Sequence, residues 1–143
     1  MSILTPPVPG YTLDVIPDLS DAATREHLSP AAIRGFFQIM DRWNATMEQA
    51  GLLLGGIPKT TLYKMKASTG PLRVDELTRI SYIVGIYVAL HAILPKPDCD
   101  QWITERNSNP LFRGVSPLEF ATRGGIPALA ELRGYLDAIR AGN

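Results

Sequence analysis

Thr46-Met-Glu-Gln-Ala50-Gly51-Leu52-Leu-Leu54-Gly55-Gly56-Ile57-Pro58-Lys59-Thr60-Thr61-Leu62-Tyr63-Lys64-Met65-Lys66 reads as two short helices joined by a tight turn. Thr46 suits the N-cap of the first, because its hydroxyl can accept from an amide left unpaired at a helix start. Gly55-Gly56 stops that helix, since glycine takes the left-handed backbone of a helix end at no steric cost. Lys59 or Thr60 opens the second helix, which closes before Gly70-Pro71. Ile57, Leu62 and Met65 stand five and then three residues apart. That is the spacing by which a turn hydrophobe and two residues of the second helix hold a helix-turn-helix together. Lys59, Thr60, Thr61, Tyr63, Lys64 and Lys66 are then left to project outward, and these residue types suit phosphates and base edges. One position departs from the pattern. The first helix normally carries a small residue five before the turn hydrophobe, and here that position is Leu52, unless the double glycine shifts the register. The competing reading is an ordinary αα-corner with a solvated basic face.

Upstream, residues 1–28 hold Pro6, Pro7, Pro9, Gly10 and Pro17 and read as an extended arm, ordered only by packing of Tyr11, Leu13 and Ile16. Ser29-Pro30 predicts an N-cap followed by a first helical position, and Ile33, Phe36, Phe37 and Met40 then recur at helical spacing to about Trp43-Asn44. Downstream, Val74 to Leu94 predicts a helix that is apolar on most sides, fit for a core or a subunit interface, and Pro95 and Pro97 stop it. Ser116-Pro117-Leu118-Glu119 is both an N-cap with proline and a capping box. The helix it starts runs to Arg123 and is broken by Gly124-Gly125. Pro127 starts the last helix, with Leu129, Leu132, Leu136 and Ile139 on one side. No segment alternates strongly enough to require a sheet, so the expected fold is all-α. Its expected parts are an arm (1–28), a helix-turn-helix module (29–70) and a small helical domain (71–143).

The chain is neutral overall, with 14 basic and 14 acidic residues, but the charge is unevenly placed. Residues 31–97 carry eight bases against four acids, while both flanks are slightly acidic. Cys99 is the single cysteine, which excludes an intramolecular disulfide and a cysteine-based zinc set. His27 and His91 fall on different predicted elements and pair with no ligand, and Asp98-Cys99-Asp100 reads as a turn cap, so no metal site is expected. Gly51 to Thr60 superficially resembles a phosphate-binding loop, but Ile57-Pro58 intervene where glycine must directly precede the Lys-Thr pair. No serine sits in a nucleophile elbow. No enzyme, and no cofactor, is expected. The start of the chain lacks a signal-peptide pattern, and the apolar run Ile80 to Leu94 is about 15 residues, below the ~20 that span a bilayer. The expected setting is the cytoplasm, with no membrane.

The stretch Trp102 to Glu119 joins an aromatic anchor, an Asn107-Ser-Asn109-Pro110 turn, a Leu111-Phe112 pair and the capped helix start. It looks like a docking surface or the scaffold of one, with Phe112 equally suited to plugging the core. Arg133, Arg140 and the terminal Asn143 lie on or beyond a C-terminal helix that could enter a partner's cleft; a plain capping helix is the alternative.

Taken in order, residues 52–66, 80–91, Trp102-Ile103, 107–114 and Ser116 to Glu119 resemble the Xre/MbcA/ParS antitoxins of bacterial RES-domain toxin–antitoxin pairs, over about residues 29–140. The resemblance implies an Xre-like helix-turn-helix module followed by a toxin-binding domain. It implies as partner a RES-domain toxin, similar in fold to ADP-ribosyltransferases and using NAD, whose cleft the C-terminal region occludes. It also implies a homodimer and repression of the protein's own operon through operator DNA. On that basis the expected toxin-binding residues are Trp102, Asn107, Phe112, Arg133, Tyr135, Arg140 and Asn143. The expected DNA-binding residues are Lys59, Thr60, Thr61, Tyr63, Lys64 and Lys66. The part beyond Pro127 is expected to be separable from a helical core. The alternative is a stand-alone dimeric helix-turn-helix transcription regulator.

Overall fold

The computed structural model describes residues 17–142, which form helices joined by turns, with no strand among the described residues. In chain order the helices are α1 (Ala22–Arg42), α2 (Met47–Leu53), α3 (Lys59–Ala67), α4 (Val74–Ile93), α5 (Cys99–Trp102) and α6 (Pro117–Arg140), with a 3-10 turn at Pro110–Phe112.

Helix α1 starts earlier than Ser29-Pro30 predicts. Its cap is Asp21, whose carboxylate accepts from the Thr24 amide at 3.0 Å and the Thr24 hydroxyl at 2.6 Å. Those two bonds hold the Asp21 carboxyl below its ordinary range. The extended arm expected through residue 28 therefore yields to helix from Ala22, and the arm's residues 1–16 lie outside the described residues. Pro30 lies inside α1, where it forgoes one helical hydrogen bond. Ser29 is fully buried and has a different task. Its hydroxyl donates to the Arg25 carbonyl at 2.5 Å and accepts from the Leu72 amide at 2.8 Å. This pins the segment leading into α4 against α1, across 43 residues of chain.

Helix α4 packs against both α1 and α6. Leu77, Ile80, Ile83, Ile86, Ala89 and Leu90 are all buried, which accounts for part of the width of its apolar surface, while Val84 and Val88 stay exposed. Its start is closed by Glu76, whose carboxylate accepts from the Arg73 amide at 3.0 Å. With 20 residues and a mean hydropathy of 1.2, α4 is long and apolar enough by composition to cross a membrane, which the shorter run counted from sequence did not indicate. Its inner surface is occupied by protein.

The end of α4 is capped by Cys99, whose thiol donates to the Leu94 carbonyl at 3.2 Å. The short helix α5 around it is absent from the sequence reading, which expects only a turn at Asp98–Asp100. Helix α6 begins as predicted, with the Ser116 hydroxyl accepting from the Glu119 amide at 3.1 Å. Only that half of the capping box forms. The Glu119 carboxylate turns to Arg123 instead, at 2.6 Å. At Gly125 the backbone leaves helical geometry (φ 66°, ψ −149°), so the predicted Gly124-Gly125 break is a kink within one long element. Beyond the kink, Ala128, Leu129, Leu132 and Leu136 are buried. The C-terminal part is therefore not a separable tail, because its removal would strip these side chains from the core.

One continuous cluster of buried side chains runs from Ile33 and Phe36 through Leu53, Leu62 and Ile83 to Phe112, Leu129 and Leu136. The helix-turn-helix shares this core with α6, since α2 packs directly against α6. Ser29→Ala leaves the buried Leu72 amide without an acceptor and should lower stability by about 1–3 kcal/mol. Urea unfolding reads this, and an unchanged midpoint would show that the pin contributes nothing.

Candidate functional site

Two surfaces gather the residues singled out from sequence. The first is α3. Leu62 is enclosed, and Ile57 and Met65 are half-buried, so the predicted spacing does hold the motif together. Lys59, Thr60, Thr61, Tyr63 and Lys64 are exposed. Pro58 precedes α3 without a side-chain cap, which leaves the first amides of the helix open to an anion. Lys66 is exposed but not free in the same sense. Its ammonium lies 5.3 Å from the centre of the Phe37 ring, so it fastens the end of α3 to α1.

Gly51, not the residue at Leu52, fills the small position of the first helix. A Cβ on Gly51 would collide with the Ile57 carbonyl oxygen, while Leu52 is exposed. The Gly51 carbonyl also accepts from the amides of Gly56 at 2.8 Å and Ile57 at 3.0 Å. Gly55 and Gly56 both take positive φ (101° and 92°), and this longer turn moves the close approach one residue back. The apparent departure at Leu52 is thus a register shift.

The second surface lies around the first residues of the 3-10 turn and the outer side of α6. Asn107 accepts from the Asn109 amide at 2.9 Å, and Asn109 from the Leu111 amide at 2.9 Å, so both asparagines shape the turn. Arg113 (φ 53°) and Gly114 (φ 84°) complete the reversal. The Leu118 amide donates to the Ile103 carbonyl at 2.8 Å and fixes the loop to α6.

Phe112 is fully enclosed, with the rings of Trp102, Phe120 and Tyr135 at 5.9, 5.5 and 5.5 Å. It cannot touch a partner directly. It is a core plug that sets the positions of Trp102 and Tyr135, which stack at 6.3 Å and remain half-buried. Tyr135 borders a shallow groove with Leu111, Pro127, Ala130, Glu131 and Gly134. Arg133 is largely committed to structure: it pairs with Asp137 at 3.0 Å and lies over Gly85 of α4, where a Cβ would strike its guanidinium. Arg140 is exposed in the last turn, and Asn143 lies outside the described residues.

Sequence reasoning missed the groove because it is made by what is absent. Ala130 and Gly134, one helical turn apart, supply no bulk, and a stretch of small residues carries no chemical signature. Among the described residues no group of three His, Cys, Asp or Glu could hold a metal ion. His91 places its Nδ1 2.9 Å from the Tyr87 carbonyl, and its ring packs at a tilt on the Tyr87 ring, so it is a packed residue of α4.

A comparison with family models matches residues 21–85 to the antitoxin Xre-like helix-turn-helix domain. Among curated proteins, the uncharacterized protein y4oB of Sinorhizobium fredii (strain NBRC 101917 / NGR234) is 35% identical over 114 residues, covering 79% of this chain and 87% of its own length. The chain belongs to one family with y4oB and carries an Xre-like antitoxin helix-turn-helix domain. The matched domain starts at the Asp21 cap and ends within α4, beyond residue 70, where the sequence pattern alone suggests that the module closes.

The register shift makes Gly51 the critical position. Gly51→Ala should destabilise the protein by about 1–3 kcal/mol through overpacking, and Leu52→Ala by less than about 0.5 kcal/mol, as for an exposed site. Thermal melts of the two variants decide this; equal losses, or the reverse order, would restore Leu52 as the packed position.

Proposed function

We propose that this protein is the antitoxin of a RES-domain toxin and that it neutralises the toxin sterically, by covering the NAD-using active-site cleft of an ADP-ribosyltransferase-like fold. The observation that carries this reading is the groove along α6, in a chain whose N-terminal part matches an antitoxin domain. Tyr135 and Trp102 are rigid aromatics of the kind that anchor protein interfaces, and Arg140 is an exposed charge further along the same helix as Tyr135. Phe112 supports the surface from within. Occlusion requires no reacting group on this chain, so no cofactor or metal enters the mechanism. The reading sets its work in the cytoplasm, where the toxin and the operator are found together.

Within this reading the division of labour is an arm ahead of α1, a DNA-facing module from α1 to residue 70 and a toxin-facing part (71–143), the last two built on a shared core. A homodimer is part of the same proposal. Ser81, Val84, Val88 and Ala92 form an exposed, uncharged stripe on α4, with Val88 half exposed. Such a stripe suits a two-fold contact with a second copy. Val88→Glu should convert the dimer to monomer in sedimentation without unfolding it, and a monomeric parent protein would remove the idea.

Gly134 is exposed, and nothing stands within 4 Å of a Cβ placed on it. Gly134→Arg therefore improves helix propensity while filling the groove. The expected outcome is a folded protein that no longer co-purifies with the toxin or protects cells expressing it. Full protection by a folded Gly134→Arg variant would place the blocking contact elsewhere.

The second reading is a dimeric transcription regulator, favoured by the exposed Lys59, Thr60, Thr61, Tyr63 and Lys64 at the open start of α3. Lys59→Ala combined with Lys64→Ala should weaken binding to the duplex upstream of the gene. Its log–log salt slope should also fall by about 2, as two phosphate contacts are lost. An unchanged slope would remove α3 from the DNA interface.

A further inference from the structure

We infer that Arg79 is a positioning residue that ties the turn before α3 to the kink of α6, so that a change at either place is felt at the other. Arg79 lies on α4 and its side chain is only 15% exposed. Its Nε donates to the Asp75 carboxylate at 2.9 Å, which orients the guanidinium. From there it lies close to two separate bends. A Cβ placed on Gly55, in the turn that sets α3, would lie 3.2 Å from Nε and 3.3 Å from Cζ. A Cβ placed on Gly125, at the kink of α6, would lie 3.8 Å from Nη1.

Both glycines adopt backbone that other residues rarely take, with φ of 101° at Gly55 and 66° at Gly125. These are the points where α2 gives way to the turn and where α6 changes direction, and one planar cation lies beside both. A flat group held beside two bends passes displacement from one to the other in a way a flexible aliphatic chain does not, because its planar head cannot fold to absorb it. The module carrying Lys59 and Lys64 and the helix carrying Tyr135 thereby share a rigid strut. Its consequence for function rests on the antitoxin reading above: occupation of the α6 groove would alter the setting of α3, and DNA on α3 would alter the groove, by one reciprocal coupling.

The strut itself is tested without either partner. Gly55→Ala and Gly56→Ala both impose a side chain on positive φ, but only the Cβ at Gly55 meets Arg79, together with its partner Asp75 at 3.3 Å; nothing lies within 4 Å of one at Gly56. Amide hydrogen exchange is followed at residues 124–130, around the α6 kink. The expected result is roughly tenfold faster exchange there in Gly55→Ala and no change in Gly56→Ala. In an Arg79→Met background the added effect of Gly55→Ala on residues 124–130 should vanish. Equal effects of the two alanine variants at the kink would overturn the proposal, as would persistence of the Gly55→Ala effect without Arg79. If Gly55→Ala does not fold, Arg79→Met alone decides. Exchange must then rise at both residues 55–57 and 124–130 while α1 residues 33–40 keep their protection, and a rise at one place only overturns the strut. Should the exchange result hold while toxin capture fails, the strut stands and the antitoxin reading falls.

Discussion

Burial of α4 on two sides is the constraint from which the rest of the molecule follows. Ile83 and Ile86 are fully enclosed, and both α1 and α6 pack against the helix they sit on. A helix so apolar cannot stand at an edge, so the chain must supply covers before it and after it. The Ser29 hydroxyl bonding to the Leu72 amide registers the first cover, and Gly85 admitting Arg133 registers the second. The reading of the C-terminal region as a detachable tail fails on this point. Leu129, Leu132 and Leu136 close the far side of the spine, so any surface that α6 offers a partner is the outer face of a core helix. Such a surface is preorganised, and a partner does not have to order it on binding.

The legibility of the chain follows the range of the interactions involved. Helix α3, the stop at Gly55-Gly56, the extent of α4 and the Ser116 cap were readable because each depends on neighbours a few residues away. The α6 break at Gly124-Gly125 was readable for the same reason. The start of α1 was misjudged because Ser29-Pro30 is a good local cap signal, while Asp21 with Thr24 is a better-placed one and Ser29 is used by a residue distant in sequence. Phe112 illustrates the limit at the site. Its neighbours Trp102, Phe120 and Tyr135 come from α5 and α6, and no periodicity within residues 107–114 says whether it points in or out. Arg79 was legible only as one base among eight. Its position between Gly55 and Gly125 exists only once three elements have met.

The same geometry explains why the helix-turn-helix tolerates an irregular turn. A motif that stood alone would depend on its internal close approach for stability. Here α2 also rests on α6, and Leu53, Leu54 and Leu62 are fully inside the common core. The two-glycine turn can shift its close approach to Gly51 without losing the angle between the helices, because that angle is fixed from outside as well as from within.

Charge then bears on how such a module could act on DNA. Of the bases on α3, Lys66 is drawn to the Phe37 ring, which leaves Lys59 and Lys64 as the bases of that helix directed at solvent. Two phosphate contacts are few against the six to ten or so of a typical strongly salt-dependent complex. One copy of this chain is therefore poorly equipped to hold an operator through α3 alone, in keeping with its zero net charge. Two copies joined across a two-fold axis double the contacts and fix their spacing along the duplex. On the proposed reading, DNA binding is thus tied to the uncharged stripe on α4, and that stripe lies on the helix that also carries Arg79.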